Sequence, residues 1–293
     1  MEIPFIQDEN GIESISGITY EFPYTMHHRN LSNDDIPWHW HEELEFNFAY
    51  KGPIIIETTH QIYTIQPGDG YFINTNVINT KRSANDDQAA IEYAHLFHPV
   101  LLTGHYRSIF ETRYLNPILK NQSIEVLIFK QGEPYTKEYI DILNQLNKLD
   151  QNEAFKIRNL LSEAWLIIMK KADNRPNELF NNSYPNEQAK KMLAFIHQNY
   201  AQKIYLDDLA ELIGMSSREI IRIFKATFHQ TPMEYLTSYR VKQAKTLLRE
   251  TDLPITNIAL MTGFNDSAYF SKIFKKTNNL TPKAYRKNNA LNQ

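Results

Sequence analysis

The sequence predicts an α+β, multidomain protein with an N-terminal β-barrel or sandwich, amphipathic helices after it, and a C-terminal all-α domain of two helix-turn-helix subdomains. Three observations predict this. Residues 15–115 are short apolar runs broken by turn residues, residues 137–172 switch to the 3.6-residue apolar period of helices, and residues 188–287 repeat themselves at a spacing of 49–50 residues.

The chain has 293 residues, 42% hydrophobic and 22% charged, which suits about two folded domains. Seventeen Tyr and sixteen Phe supply the apolar surface for real cores, and no apolar run approaches the roughly 20 residues that cross a bilayer. Met1-Glu2-Ile3-Pro4-Phe5 carries an acidic residue where a signal peptide needs positive charge, so the protein is expected to be unexported and cytoplasmic. The absence of cysteine excludes disulfides and thiolate chemistry, and leaves His and carboxylates as the metal ligands available. The formal net charge of −3 hides an asymmetry. Residues 188–287 hold sixteen Lys or Arg against eight Asp or Glu, a net +8, and the remainder carries −11. A basic module of this kind suits a polyanion partner, although solvated basic faces are common.

The N-terminal strands come first. Glu45-Phe46-Asn47-Phe48-Ala49-Tyr50, Ile54-Ile55-Ile56-Glu57, Ile62-Tyr63-Thr64-Ile65 and Tyr71-Phe72-Ile73 are separated by Lys51-Gly52-Pro53 and Gln66-Pro67-Gly68-Asp69-Gly70, the spacing of an antiparallel barrel or sandwich. This domain is assigned residues 1–135. Tyr139, Ile142, Leu143, Leu146 and Leu149, then Ile157, Leu160, Leu161, Ala164, Trp165, Ile168 and Met169, form helical stripes within 136–172. The second stripe, with Trp165, Ile168 and Met169, offers more surface than one packing partner needs and is expected to make a homodimer; in the competing arrangement both helices simply cover the barrel. Residues 173–186, rich in Asn and Pro, read as a linker.

Residues 187–293 read as helix throughout. Ala210 and Gly214 recur as Ala259 and Gly263, while Phe224-Lys225, Thr231-Pro232 and Tyr235 recur as Phe274-Lys275, Thr281-Pro282 and Tyr285. Each copy has the form of a helix-turn-helix. Leu206, Leu209, Ala210 and Ile213 make one stripe, Gly214 ends that helix with positive φ, and Ser216 or Ser217 caps the next. In that next helix Ile220, Ile223, Phe224 and Phe228 point inward, which turns Arg218, Ile221, Arg222 and Lys225 outward. The second copy buries Phe270, Ile273 and Phe274 and turns out Ala268, Ser271, Lys272 and Lys275, with Tyr269 at the margin and Asp266 or Ser267 as cap. Arg can bond guanine in a major groove and an exposed apolar side chain can meet a thymine methyl.

These residues, from Leu206-Asp207-Asp208-Leu209-Ala210 through Gly263-Phe264, Tyr269-Phe270-Ser271 and Thr281-Pro282 to Tyr285-Arg286, closely resemble the DNA-binding domain of the AraC/XylS family of bacterial transcription regulators. The resemblance implies two helix-turn-helix subdomains joined by a long helix, about Pro232 to Arg249, reading adjacent major grooves of double-stranded DNA. It implies base contacts from Arg218, Ile221, Arg222 and Lys225 and from Ala268, Tyr269 and Lys272, with RNA polymerase as a further candidate partner. Family members usually carry Gly before the Thr-Pro or Ser-Pro pair; this chain has His229-Gln230 and Asn279-Leu280.

In the N-terminal domain, Trp38-His39-Trp40-His41-Glu42-Glu43-Leu44-Glu45 alternates as a strand would, setting His39, His41, Glu43 and Glu45 on one face and Trp38, Trp40, Leu44, Phe46 and Phe48 on the other. Such a His-x-His face with a carboxylate can hold a divalent metal, or can be an ordinary solvated strand face. His39-x-His41 followed by Glu45 and Gly52 resembles a first cupin motif, and Pro67-Gly68-Asp69 with Phe72-Ile73-Asn74 resembles a second. In a metal cupin the second motif supplies another His, and here register gives that place to Asn79. The expectation is therefore no metal and no cofactor, and a small polar metabolite, plausibly a carbohydrate, bound by His39, His41, Glu45, Trp40, Tyr63 and Asn79. The alternative is a cupin enzyme, a metal-dependent isomerase or dioxygenase with an appended helical interaction domain. A ligand-responsive, non-enzymatic regulator is the reading preferred, because the C-terminal pattern is the more specific.

Overall fold

A computed structural model describes residues 15–32, 35–85, 89–121, 123–173 and 183–290. The chain divides into two units between Tyr184 and Pro185. Met1-Glu2-Ile3-Pro4-Phe5 and residues 174–182, which hold most of the expected linker, lie outside the described residues, and Ser183 already begins a helix.

Among the described residues the first unit has nine strands: β1 (Tyr24–Asn30), β2 (Ile36–His39), β3 (Leu44–Lys51), β4 (Ile54–Thr58), β5 (Ile62–Ile65), β6 (Gly70–Ile73), β7 (Asn79–Ser83), β8 (Ile91–Phe97) and β9 (Val126–Phe129). They form two antiparallel sheets, ordered β1-β8-β3-β6-β9 and β2-β7-β4-β5. Sheet alternation then sorts the side chains. On β3, Phe46 and Phe48 point away from the barrel while Glu45 and Asn47 point in, opposite Ile73 and Tyr71 of β6 and Leu96 and Ala94 of β8. Short helices α1 (Val100–Thr103) and α2 (Asn116–Leu119) flank a π-helical turn at Phe110–Leu115.

Helices α3 (Thr136–Leu146) and α4 (Ala154–Asp173) lie on the outer face of the five-stranded sheet. Tyr139 stacks on Phe129 at 4.2 Å, and Trp165 meets Phe46 at 6.4 Å and Phe72 at 5.8 Å. Gly70 is required beneath Tyr139, since a Cβ there would come within 2.7 Å of the ring. Ile157, Leu161, Ala164, Trp165 and Ile168 are all buried in this one core. The stripe expected to make a dimer is thus largely spent inside the chain: a Trp that fills the space between Phe46 and Phe72 has no surface left for a partner. Fully burying each such side chain contributes about 1.5–3 kcal/mol.

The second unit is helical: α5 (Ser183–Asn199), α6 (Leu206–Ile213), α7 (Ser217–Phe228), α8 (Pro232–Glu250), α9 (Ile255–Met261), α10 (Ser267–Asn278) and α11 (Pro282–Ala290). The long helix α8 serves both halves. Its Tyr235 packs with Phe224 and Phe228 at 5.7 and 6.3 Å, and its Val241, Ala244 and Leu248 join Ile258, Ala259, Phe270 and Phe274. Thr231 and Glu234 cap its start reciprocally. Arg240, midway along it, donates from Nε to the Tyr200 carbonyl at 2.7 Å and from a terminal nitrogen to that of Gln202 at 2.6 Å.

Candidate functional site

The turns of the two helix-turn-helix copies form as the repeat demands. Gly214 and Gly263 sit at φ +72° and +81°, Ser216 accepts from the Glu219 amide, and Asp266 accepts from that of Ala268 at 2.8 Å. The positions lacking Gly are solved by side chains that tolerate left-handed backbone: His229 and Asn279 both stand at φ 56° and end α7 and α10.

On α7, Ile220, Ile223, Phe224 and Phe228 are buried, while Arg218, Arg222 and Lys225 are exposed. Ile221, expected to be exposed, is half-buried, so it presents an edge rather than its whole side chain. Arg222 bonds Glu219 one turn back at 3.0 Å; both are exposed, so the pair is weak and exchangeable. On α10, Phe270 and Phe274 are buried and Ala268, Tyr269, Lys272 and Lys275 are exposed, with Tyr269 resting on Phe264 at 6.3 Å. Each second helix therefore shows a cationic face with one apolar or aromatic element on it, the chemistry of a groove-reading helix.

In the barrel, His39, His41, Glu45 and Asn79 come together, but not as one strand face. The chain leaves β2 after His39, turns through residues 40–43 and enters β3 at Leu44, so His39 belongs to one sheet and Glu45 to the other. Crossing between sheets, rather than alternation along a strand, makes them converge. Glu43 falls off the shared face and approaches His41 Nδ1 at 3.6 Å. Asn79 is the register partner of His39. Trp40 is buried in the crossing segment, and Tyr63 lies on β5 opposite Ile56 in the smaller apolar cluster.

The sequence reading missed Lys81, Glu92 and Asn47, which dominate this interior together with Tyr71. Lys81 Nζ lies 2.5 Å from Glu45 Oε2 and 3.4 Å from Glu92 Oε1, and Tyr71 donates its hydroxyl to Glu92 Oε2. His41 Nε2 meets Glu45 Oε1 at 2.9 Å, and its Nδ1 meets the Glu43 carbonyl at 3.1 Å. Burial pushes the Glu45 carboxyl up, but the Lys81 ammonium and the His41 hydrogen bond outweigh it and hold it well below the usual carboxylate range. Both ring nitrogens of His41 thus face oxygen atoms. Burial, then the Glu92 and Glu45 carboxylates, push the Tyr71 phenol up, so it remains a hydroxyl donor.

His39, His41 and Glu45 bring one ligand atom each to within 4.8 Å of one another. The donor set nevertheless does not fit a resident metal. Glu45 is neutralised on one oxygen by a buried ammonium and on the other by an imidazole proton, and a divalent ion would have to displace the latter while lying beside the former. Among the described residues no helix is long and apolar enough to cross a membrane.

Comparison with known proteins adds three relatives and a domain. Residues 209–288 match the model of a helix-turn-helix domain. Over 294 residues the chain is 26% identical to YdeC of Bacillus subtilis strain 168, named an uncharacterized HTH-type transcriptional regulator, covering 98% of this chain and 99% of that protein. It is 31% identical over 175 residues to the HTH-type transcriptional activator RhaS of Mannheimia succiniciproducens, covering 59% of this chain and 62% of RhaS. It is 25% identical over 272 residues to the melibiose operon regulatory protein of Escherichia coli K12, covering 84% and 89%.

Proposed function

The chain belongs to the AraC/XylS family of DNA-binding transcription regulators, and from that premise we propose that α7 and α10 read base edges in two successive major grooves under control of a small polar metabolite held in the N-terminal barrel. Arg218, Ile221, Arg222 and Lys225 form the first reading face and Ala268, Tyr269 and Lys272 the second. The observation that carries this is the pairing of two capped, cationic second helices on one shared helix, α8, whose Tyr235 and Ala244 enter the two cores from a single rigid element.

The effector is a carbohydrate in this reading. Support comes from the polar groups gathered inside the barrel and from the sugar operon in the name of one relative. The protein acts in the cytoplasm, where its DNA is, and RNA polymerase is its partner at the promoter. It works as a homodimer, through the outer side of α4 where Phe155 and Leu166 are exposed, not through Trp165 and Ile168. A regulator is favoured over a cupin enzyme because Glu45, the one carboxylate of the metal-like cluster, is already committed to Lys81 and His41.

The test is a gel-shift titration with the full chain at two salt concentrations. Arg222→Ala is expected to cost about 1–3 kcal/mol on the preferred sequence and to relax choice at one position, while a phosphate-contacting lysine weakens all sequences alike. Equal loss on every sequence for all seven residues would contradict base reading.

A further inference from the structure

We propose that Arg240 is a positioning residue for DNA reading: it pins the first helix-turn-helix half to the second, and so sets the one spacing of base-pair blocks that α7 and α10 can read together. This rests on the two-groove reading above and adds what fixes the geometry of the DNA site. Arg240 stands at the seam of the two halves. On one side of it along α8, Tyr239 belongs to the first half, stacking on His197 of α5 at 4.2 Å and meeting Tyr200 edge-on at 5.3 Å. On the other side, Val241 lies in the core of the second half with Ile258 and Phe270. The guanidinium is half-buried there and donates to two carbonyls of the segment that joins α5 to α6, those of Tyr200 and Gln202. Two bonds from one planar fork fix a direction as well as a distance, which a single bond does not.

The second half leans on that same contact. Gly263 lies in the turn between α9 and α10, and a Cβ on it would fall 2.5 Å from the Tyr200 carbonyl oxygen, 2.7 Å from Arg240 Nε and 2.9 Å from Arg240 Cζ. The turn that aims α10 therefore rests on the pair formed by Arg240 and the entry to α6. Gly214, in the turn that aims α7, would have nothing within 4 Å of such a Cβ, so the close approach is a property of the seam and not of the turn. Rotating either half about α8 changes the offset between α7 and α10. Such a rotation must break the Arg240 bonds or drive Gly263 into the Tyr200 carbonyl. A pair of helices held this way loses little freedom when both bind, and the same stiffness makes a wrong spacing costly. One added base pair shifts the second block by about 3.4 Å and turns it by roughly 35°, more than hydrogen bonds to base edges tolerate.

The experiment measures by gel shift the affinity of the full chain for the duplex it selects from a random pool, and for the same duplex with one base pair added or removed between the two blocks. The unaltered protein is expected to lose roughly a hundredfold on either changed spacing, about the worth of one block of base contacts. Arg240→Met keeps the length of the stem and leaves both carbonyls open to water, since Gln202 is exposed and Tyr200 half-buried. It is expected to weaken the selected spacing roughly tenfold and to cut the penalty for changed spacing to roughly tenfold or less. Arg240→Lys, with one ammonium for two carbonyls, should fall between. Gly263→Ala should relax the spacing likewise. Gly214→Ala, which strains only its own turn, should lower the thermal midpoint and leave the spacing penalty as it was. A merely structural role for Arg240 would weaken all three duplexes in proportion and leave their ratio alone. An unchanged penalty in Arg240→Met, or equal relaxation by Gly214→Ala and Gly263→Ala, would overturn the proposal and leave the two-groove reading standing. Equal binding of the three duplexes by the unaltered protein would overturn it too, and a selected sequence with a single block would remove the two-groove reading and the proposal together.

Discussion

Lys81 Nζ is 2.5 Å from Glu45 Oε2, and the two residues belong to opposite sheets of the barrel, Lys81 to β7 and Glu45 to β3. The pair therefore bolts one sheet to the other through the interior, with Glu92 of β8 on the same ammonium at 3.4 Å. Such a pair adds little over a well-packed apolar substitute, but breaking it strands a charge. Lys81→Met is expected to destabilise the N-terminal unit by about 3–5 kcal/mol, and adding Glu45→Gln to recover part of that loss. Urea denaturation of the two variants checks both signs; a cost under about 1 kcal/mol for Lys81→Met would refute the bolt.

Acid should weaken the same unit through a different residue. Burial pushes the His95 imidazole down to about 3, and Tyr24 OH bonds its Nδ1 at 2.9 Å. The unfolded chain takes up a proton below the ordinary histidine value of 6.5 and the folded one cannot until about 3. This contribution is therefore fully present above pH 6.5 and is lost as pH falls towards 3, with a slope of about 1.4 kcal/mol per pH unit. His95→Gln, which keeps an acceptor for Tyr24, is expected to flatten the acid limb by one proton. Denaturation series at several pH values measure it.

The two turn glycines differ in a way the repeat hides. Both have positive φ, but a Cβ at Gly214 meets nothing within 4 Å, whereas one at Gly263 would stand 2.5 Å from the Tyr200 carbonyl oxygen and 2.7 Å from Arg240 Nε. Gly214→Ala is expected to cost about 1 kcal/mol, the backbone strain alone. Gly263→Ala should cost clearly more, because it also pushes Arg240 off the Tyr200 carbonyl. Equal costs in thermal unfolding would mean that the Arg240 contact contributes nothing.

Much of this was legible in the sequence, and the rest was hidden for physical reasons. The stripes Ile157 to Ile168 and Ile220 to Phe228 are written in the helical period, and the turns of the repeat are written in Gly214, Ser216, Gly263 and Asp266. A stripe does not say what covers it. Trp165 packs on Phe46 and Phe72, far away along the chain, so its burial within one chain could not be read locally. Residues 38–45 alternate well enough to pass for one strand, and no Gly or Pro interrupts them after Pro37, yet the chain turns there to change sheets. Lys81 was hidden because β7 is polar at every position, Asn79-Thr80-Lys81-Arg82-Ser83. Only pairing with Ile56 reveals that Lys81 points inward while Arg82 does not.

One chain reading DNA with two helices should show itself when the full chain selects binding sequences from a random duplex pool. Two enriched blocks per bound chain are expected, centred about one helical turn, roughly 34 Å, apart. Arg222→Ala should erase preference within one block and Lys272→Ala within the other. A pool with no enriched sequence, or a single block that neither substitution alters, would contradict it.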